Sequence, residues 1–140
     1  MPRPATAKGA PMTPDEADVL TRKHAELWSQ QDARAVAALY RDDCVYEDVP
    51  QGALIEGKDE VMKHANGMFQ LIPDIRVSLR SVAATKHHSA REYTITGTWA
   101  ANGKPISLPG VSILEFDGDL IARNTDYYDL STLMAQVADG

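Results

Sequence analysis

The chain has 140 residues, of which 44% are hydrophobic and 24% are charged, and these values are ordinary for one globular domain with a single core. Its formal net charge of −6 predicts an acidic surface, which repels the phosphate backbone of nucleic acids. No apolar run approaches the roughly 20 residues of a membrane helix, and the N-terminus lacks the apolar stretch of a secretory signal. The sequence therefore predicts a cytoplasmic protein without nucleic-acid or membrane partners.

Metal and thiol chemistry have little support in the composition. Cys44 is the only cysteine, so an internal disulfide and a zinc site built on several thiolates are excluded. His87 and His88 have no Cys or further His at ligand spacing, and Cys44 has no basic neighbour in the sequence that would activate it. We therefore expect neither a metal nor an organic cofactor.

The first segment of the chain differs from the rest in composition. Residues 1–12 are rich in Pro, Ala and Gly, which predicts a disordered tail and leaves Met12 as an alternative start. The remainder shows no internal repeat and no second linker. We expect a single domain over residues 13–140.

Helical signals come first in this domain. Thr13 followed by Glu16 is typical of a capping box, and Asp32 can cap a second helix. Apolar residues recur at helical spacing in both segments and again in a third helix over 58–71. The predicted inward residues are Leu20, His24, Leu27 and Trp28, then Val36, Leu39 and Tyr40, then Val61, Met62, Ala65, Met68 and Phe69.

Strand signals follow the helices. A short alternating strand is predicted over 44–49, and 50–57 is predicted to be a loop. Long strands with period two are predicted over 75–84, 90–99, 106–116 and 120–128, with a hairpin turn at Asp117-Gly118 and a closing helix over 130–137. Helices followed by a meander of antiparallel strands favour an α+β fold with the helices on one face of a curved sheet.

Tyr46 and Asp48 form the first candidate site. Strand residues two apart project from the same face, so both share a face with Cys44. A hydroxyl and a carboxylate about 7 Å apart along a strand suit an acid–base pair around a small substrate. In the alternative interpretation, Asp48 caps the loop at Pro50 and Tyr46 is an ordinary core residue.

Arg91 and Tyr93 form the second candidate site, on one strand face that continues to Trp99. A polar entrance that grades into an apolar interior is typical of a ligand pocket. The alternative is an exposed arginine at the start of a strand.

Asp126 is the third candidate. An aspartate inside a strand is disfavoured, so it must be solvated, paired or functional, and we favour a function. It shares its face with Asn124 and Tyr128. Asp129 directly precedes the last helix and is predicted to cap it.

Beyond these local signals, the sequence resembles a known superfamily. The order of elements over residues 13–137 resembles the nuclear-transport-factor-2-like superfamily, a cone in which a curved sheet wraps around N-terminal helices. The segment Val-Tyr-Glu-Asp-Val-Pro at 45–50 resembles the Val-Tyr-x-Asn-x-Pro segment of limonene-epoxide-hydrolase-like enzymes. Asp-Tyr-Tyr-Asp-Leu at 126–130 resembles their Asp-Tyr-Phe-Asp-Leu segment, and Arg-Glu-Tyr at 91–93 lies where they have Arg-x-Asp.

This resemblance implies roles for five residues. Asp126 would be the general base, Arg91 would position it and hold its charge, and Tyr93 would donate a proton to the leaving oxygen. Tyr46 and Asp48 would hold the water or an internal hydroxyl nucleophile. Asp48 replaces the family's Asn, and Tyr93 replaces its general-acid Asp with a weaker acid. The implied activity is an epoxide hydrolase or epoxide-opening cyclase that acts on an apolar, oxygenated small molecule.

Two other relatives within the superfamily imply different chemistry. Asp42-Asp43 followed by Glu47-Asp48 resembles ketosteroid isomerases, in which Asp48 would shuttle the proton, with His24 and Ser112 near the positions of the two oxyanion donors. Segments 96–98, 109–112 and 135–136 resemble SnoaL-like polyketide cyclases. A non-catalytic ligand-binding domain is a third interpretation, and the superfamily resemblance implies a homodimer through the open sheet face.

Every one of these assignments depends on which strand faces point into the cone, because a one-residue change of register exchanges the faces. We predict that the inward set contains Cys44, Tyr46, Asp48, Arg91, Tyr93, Trp99, Asn124 and Asp126. His24, Trp28, Ser112 and Tyr128 are further expected pocket residues, although a lone histidine such as His24 on an apolar helix stripe is more often a hydrogen-bonded core residue.

Overall fold

A computed structural model describes residues 10–139, so residues 1–9 and residue 140 lie outside the described part of the chain. Most of the predicted tail over 1–12 therefore falls outside it as well. Met12 is described, and its side chain is only 8% exposed and packs against the core. Within residues 10–139, no helix is long and apolar enough to cross a membrane.

Four helices and six strands make up the described chain. In order they are α1 (Pro14–Ser29), α2 (Ala33–Ala38), β1 (Tyr40–Asp48), β2 (Ala53–Glu56), α3 (Lys58–Leu71), β3 (Arg76–Ala84), β4 (His88–Thr98), β5 (Pro105–Asp117), β6 (Leu120–Tyr128) and α4 (Leu130–Val137). The predicted α+β class, with helices first and a curved open sheet after them, is confirmed.

The six strands form one sheet in the order β2-β1-β6-β5-β4-β3. The pair β1–β6 is parallel, and the other four pairs are antiparallel. Helix α1 lies against β3 and β4, and α3 packs against α2, β1 and β2. This arrangement leaves one face of the sheet covered by helices, and the side chains on that face enclose the core.

The predicted helix caps are confirmed. The Thr13 hydroxyl accepts a hydrogen bond from the Glu16 amide at 3.2 Å, and the Glu16 carboxylate accepts one from the Thr13 amide at 3.0 Å. Asp32 accepts from the Ala35 amide at 3.0 Å at the start of α2. Asp129 accepts from the Ser131 amide at 3.1 Å, which makes it the cap of α4.

Two sequence predictions about the first strand region are wrong. Tyr40 lies at the start of β1 and not on α2, which ends with Leu39 as its C-cap. The predicted loop over 50–57 contains β2, which pairs with β1. This strand has four residues between Gly52 and Gly57, two glycines with φ values of 64° and 91°, and a segment of that length is too short to show period two clearly.

Candidate active site

A cavity lies between the helix-covered face of the sheet and the helices α1, α3 and α4. Its apolar wall consists of Trp28, Met68, Ile72, Ile75, Val77, Ile95, Trp99, Ile106, Leu108 and Leu133. Its polar wall consists of Tyr46, Asp48, Gln51, His64, Arg91, Tyr93, Ser112, Asp126 and Tyr128. A mostly apolar pocket with a few convergent polar groups is the usual form of a small-molecule site.

The strand register explains why the polar residues converge. Asp48 on β1 lies opposite Asp126 on β6, which lies opposite Ser112 on β5, which lies opposite Arg91 on β4. Neighbouring strands are about 4.8 Å apart, so this row of four residues crosses the sheet within one cavity. We call it the polar row. Two residues along each strand, Tyr128, Gly110 and Tyr93 form a second row on the same face.

Asp126 is held by two hydroxyl groups. Its carboxylate accepts hydrogen bonds from Tyr46 and from Ser112. The side chain keeps some accessible surface because it faces the cavity, but protein surrounds it, and this burial raises the pKa of Asp126. The two hydrogen bonds and the charge of Arg91 lower that pKa in part. A carboxyl group with a raised pKa and fixed geometry is suited to proton transfer.

Asp48 has a different set of partners. The Tyr128 hydroxyl lies 2.9 Å from both carboxylate oxygens of Asp48. The backbone nitrogen of Gln51 lies 3.2 Å from Asp48 Oδ1, and its side-chain nitrogen lies 3.1 Å from Asp48 Oδ2. The bond to the Gln51 amide caps the turn after β1, as the alternative interpretation of the sequence proposed. Asp48 also faces the cavity, so it combines a capping role with a position at the candidate site.

The Tyr93 hydroxyl forms no hydrogen bond with any side chain or backbone group of residues 10–139. The ring lies against Gly110, where an added Cβ would meet the hydroxyl oxygen at 2.6 Å. Burial and the negative charge of Asp126 raise the pKa of Tyr93. The hydroxyl therefore stays protonated and can donate to an oxygen of a bound molecule.

Arg91 lies on the cavity wall and is only 4% exposed. Its Nη1 donates to the Thr21 carbonyl oxygen at 3.3 Å, and its Nε has no partner among the described residues. No hydrogen bond or ion pair joins Arg91 to Asp126 or to another carboxylate of residues 10–139. Arg91 thus acts on Asp126 through its charge and not through direct contact.

His64 is a cavity residue that the sequence analysis missed. It lies on α3, and its ring centroid is 5.0 Å from that of Tyr46. Burial lowers the pKa of His64, and the negative charges of Asp126 and Asp48 raise it in part. Its position one helical turn before Met68, on the inward stripe of α3, is the signal that would have identified it.

The sequence of this chain matches the SnoaL-like domain family over residues 21–124. The chain belongs to this family. No curated protein matches the chain.

Solved structures similar to this SnoaL-like domain confirm its fold. A protein from Catenulispora acidiphila with a ketosteroid-isomerase-like fold, in complex with trimethylamine, is 23% identical over 89% of this chain and 93% of its own, with a TM-score of 0.79. An NTF2-like protein from Burkholderia pseudomallei is 17% identical over 89% and 98%, with a TM-score of 0.80. A candidate polyketide cyclase from Pseudomonas putida is 25% identical over 91% and 99%, with a TM-score of 0.76. The predicted SnoaL-like domain with an NTF2-like fold is therefore confirmed.

The SnoaL-like domain brings most of the predicted site residues to one cavity. Tyr46, Asp48, Arg91, Tyr93 and Asp126 all line it, as do the expected pocket residues Trp28, Trp99, Ser112 and Tyr128.

The expected pocket residues His24 and Asn124 lie beneath the cavity wall and not on it. The hydroxyl of Tyr40 lies between them, 2.8 Å from His24 Nε2 and 2.9 Å from Asn124 Nδ2. The prediction that His24 and Asn124 line the pocket is wrong, because β1 begins at Tyr40 and places the Tyr40 hydroxyl in the core between them. Cys44 is buried without lining the cavity, and burial raises the pKa of its thiol to about 11.

Proposed function

We propose that this SnoaL-like domain is a cofactor-independent acid–base enzyme that opens an epoxide on an apolar, oxygenated small molecule, with water or an internal hydroxyl group as the nucleophile. One observation carries the proposal. The cavity contains a carboxyl group with a raised pKa, Asp126, together with the protonated Tyr93 hydroxyl, which has no hydrogen-bond partner within residues 10–139. Epoxide opening needs a base at the nucleophile and a donor at the departing oxygen.

In this mechanism Asp126, as carboxylate, accepts a proton from a water molecule while the water oxygen bonds to an epoxide carbon. The Tyr46 and Ser112 hydroxyls keep the carboxylate in place, and Asp48 accepts a hydrogen bond from the second hydrogen of the water, which stays on the attacking oxygen. The carbon–oxygen bond of the epoxide breaks, and the oxygen receives the proton of Tyr93. Transfer of the proton from Asp126 to Tyr93 through solvent restores both groups, so epoxide and water become a diol.

Turnover of a defined set of epoxides tests this activity. Styrene oxide, 1,2-epoxyoctane and its carboxylate-bearing analogue 7,8-epoxyoctanoate are incubated with the protein in ¹⁸O-labelled water, and the diols are analysed by mass spectrometry. We expect single incorporation of the label and loss of turnover in Asp126→Asn. The control is Asp119→Asn, because Asp119 is exposed in the turn between β5 and β6. Turnover no faster than in buffer for all three epoxides contradicts the proposal.

A second candidate function is aldol cyclisation or ketone isomerisation, in which Asp48 moves a proton α to a carbonyl group. It is favoured by the position of Asp48 in the cavity and by the likeness to the Pseudomonas putida protein described as a candidate polyketide cyclase. Such chemistry needs an oxyanion donor. His24 lies beneath the wall and Ser112 donates to Asp126. The Tyr93 hydroxyl has no hydrogen-bond partner within residues 10–139 and is the donor that this role would use.

Deuterium exchange separates the two candidates. In deuterated water, an enzyme that deprotonates a carbon next to a carbonyl group exchanges that hydrogen, and NMR detects the exchange on a β,γ-unsaturated ketone. Exchange that is lost in Asp48→Asn and kept in Asp126→Asn would favour aldol cyclisation or ketone isomerisation. Epoxide turnover that is lost in Asp126→Asn and kept in Asp48→Asn would favour epoxide opening.

A further inference from the structure

We propose that the substrate of this SnoaL-like domain carries a carboxylate group and that Arg91 binds this carboxylate. The inference rests on the proposed function in that it names the substrate class for the same cavity. It differs from the role that the family resemblance implies for Arg91, which is to position Asp126.

The proposal starts from the isolation of a buried cation. Arg91 is 4% exposed, and its one hydrogen bond within residues 10–139 runs from Nη1 to the Thr21 carbonyl oxygen at 3.3 Å. The Nε has no partner among those residues, and no carboxylate of the described chain pairs with the guanidinium. Removing an unpaired charge from water is costly. An anionic group supplied by a ligand would offset that cost.

The guanidinium group selects the kind of anion. Its planar fork matches the two oxygens of a carboxylate, which it can bind through two parallel hydrogen bonds. A phosphate with two charges would add more negative charge than a carboxylate to a cavity that already holds Asp48 and Asp126, so the carboxylate fits better.

The polar row separates the anion from the reacting groups. Ser112 lies between Arg91 and Asp126 in the register of β4, β5 and β6. Two strand spacings, about 10 Å, therefore separate the backbone of Arg91 from that of Asp126. Asp48 lies one strand further from Arg91. A substrate carboxylate at Arg91 would thus be separated from Asp126 by the Ser112 strand, and the reactive oxygen of the same substrate would face Tyr93, which lies two residues along β4 from Arg91.

An internal role for Arg91 is the competing explanation. His24 Nδ1 and Asn124 Oδ1 are buried polar atoms that also lack partners among the described residues, and they lie beneath the same wall. If the guanidinium interacts only with these buried groups, the cavity should bind an acid no more tightly than an uncharged ligand of equal shape. The two explanations therefore differ in a measurable way.

Fluorescence offers a direct binding assay, because the chain has two tryptophans and both of them, Trp28 and Trp99, line the cavity. The probes are phenylalkanoic acids from phenylacetate to 6-phenylhexanoate and their primary amides. For the chain length that fits best, we expect the acid to bind at least roughly tenfold more tightly than its amide, as for a charge-assisted hydrogen bond.

Variants assign that preference to the guanidinium. In Arg91→Met, which keeps side-chain volume and removes the charge, we expect the acid to bind no better than the amide while the amide keeps its affinity. The control is Arg22→Met on the exposed side of α1, where Arg22 is 55% exposed and pairs with Asp18. We expect this control to retain the preference for the acid. Far-ultraviolet circular dichroism and thermal melting establish that each variant is folded.

Three results would overturn the proposal. They are equal binding of acid and amide by the unchanged protein, no binding of any acid at millimolar concentration, and an acid preference that survives in a folded Arg91→Met. If Arg91→Met does not fold, the comparison of acid and amide on the unchanged protein decides alone. Because the assay measures binding, epoxide turnover can fail while the carboxylate preference holds, and the reverse can also occur.

Discussion

Asp48 and Asp126 lie directly opposite each other on the parallel strands β1 and β6, but they receive hydrogen bonds from different groups. Tyr46 and Ser112 donate to Asp126, whereas Tyr128 and Gln51 donate to Asp48. Two carboxylates in one cavity that have separate partners can take separate roles. This pairing is the structural basis for treating Asp126 as the base and Asp48 as the group that holds the nucleophile.

Asp126→Asn should lower kcat/KM for an accepted epoxide by at least roughly 100-fold, since the amide keeps the shape of the side chain but cannot act as a general base. Steady-state kinetics with the substrate identified in the epoxide set measures the change. Asp119→Asn is the matched control. An Asp126→Asn protein with near-normal kcat/KM would exclude Asp126 as the base.

The same substitution should raise thermal stability at neutral pH. Burial raises the pKa of Asp126 above its usual 3.8, so its contribution to stability is present below that unfolded-state value and is lost as the pH rises through the folded-state pKa. Asparagine does not ionise and avoids this loss. We expect the Tm difference between Asp126→Asn and the unchanged protein to become more positive from pH 4 to pH 8. A difference that is constant over this range would contradict the buried-carboxylate explanation.

Local sequence signals predicted much of this fold. The capping box at Thr13 and the cap at Asp129 follow from residue types at fixed spacing. The period of two over 120–128 predicts β6 with the bounds that the structure shows. It also makes Asp126 conspicuous, because an aspartate is unfavourable within such a strand.

Long-range pairing could not be predicted in the same way. The parallel contact of β1 with β6 joins Asp48 to Asp126 across most of the chain, and no local pattern specifies it. The relation of Arg91 to Asp126 depends on the registers of β4 with β5 and of β5 with β6. The position of Tyr40 between His24 and Asn124 depends on the pairing of β1 with β6. The polar row is therefore a property of the folded sheet that the sequence pattern does not display.

His24 should make the protein less stable in mild acid. Burial and the positive charge of Arg91 lower its pKa well below 6.5. Below pH 6.5 the unfolded chain binds a proton that the folded chain does not, so stability falls as the pH drops below that value. We expect His24→Gln to reduce the slope of Tm against pH between pH 5 and 6.5. His88→Gln is the control, since His88 is exposed, and equal slopes for both variants would contradict the assignment.

The boundary of the domain can be tested at Met12, which is 8% exposed and packs against the core. A chain that begins at residue 12 should keep its Tm, because residues 1–11 lack periodic apolar positions that could repay ordering. Met12→Ser in the full chain should lower the free energy of unfolding by about 1–3 kcal/mol, the usual contribution of a buried methionine side chain. The boundary would lie elsewhere if deletion of residues 1–11 lowers the Tm, or if Met12→Ser leaves the free energy of unfolding unchanged.

Gly110 tests the position of Tyr93. A Cβ at Gly110 would lie 2.6 Å from the Tyr93 hydroxyl oxygen and 2.9 Å from the Tyr127 carbonyl oxygen, so Gly110→Ala must displace the tyrosine ring. We expect a loss of about 1–3 kcal/mol in unfolding free energy from this overpacking. We also expect a fall in kcat that exceeds the change in KM, because the proton donor moves away from the reacting oxygen.

Gly67→Ala is the matched control for Gly110→Ala. Gly67 lies within α3, and a Cβ added there would have no heavy atom of the described chain within 4 Å apart from its own helical surroundings. Alanine should therefore stabilise the helix by up to about 1 kcal/mol and leave kcat unchanged. Tyr93→Phe completes the set, because it removes the hydroxyl without moving the ring. If kcat is normal in both Gly110→Ala and Tyr93→Phe, Tyr93 is not the proton donor.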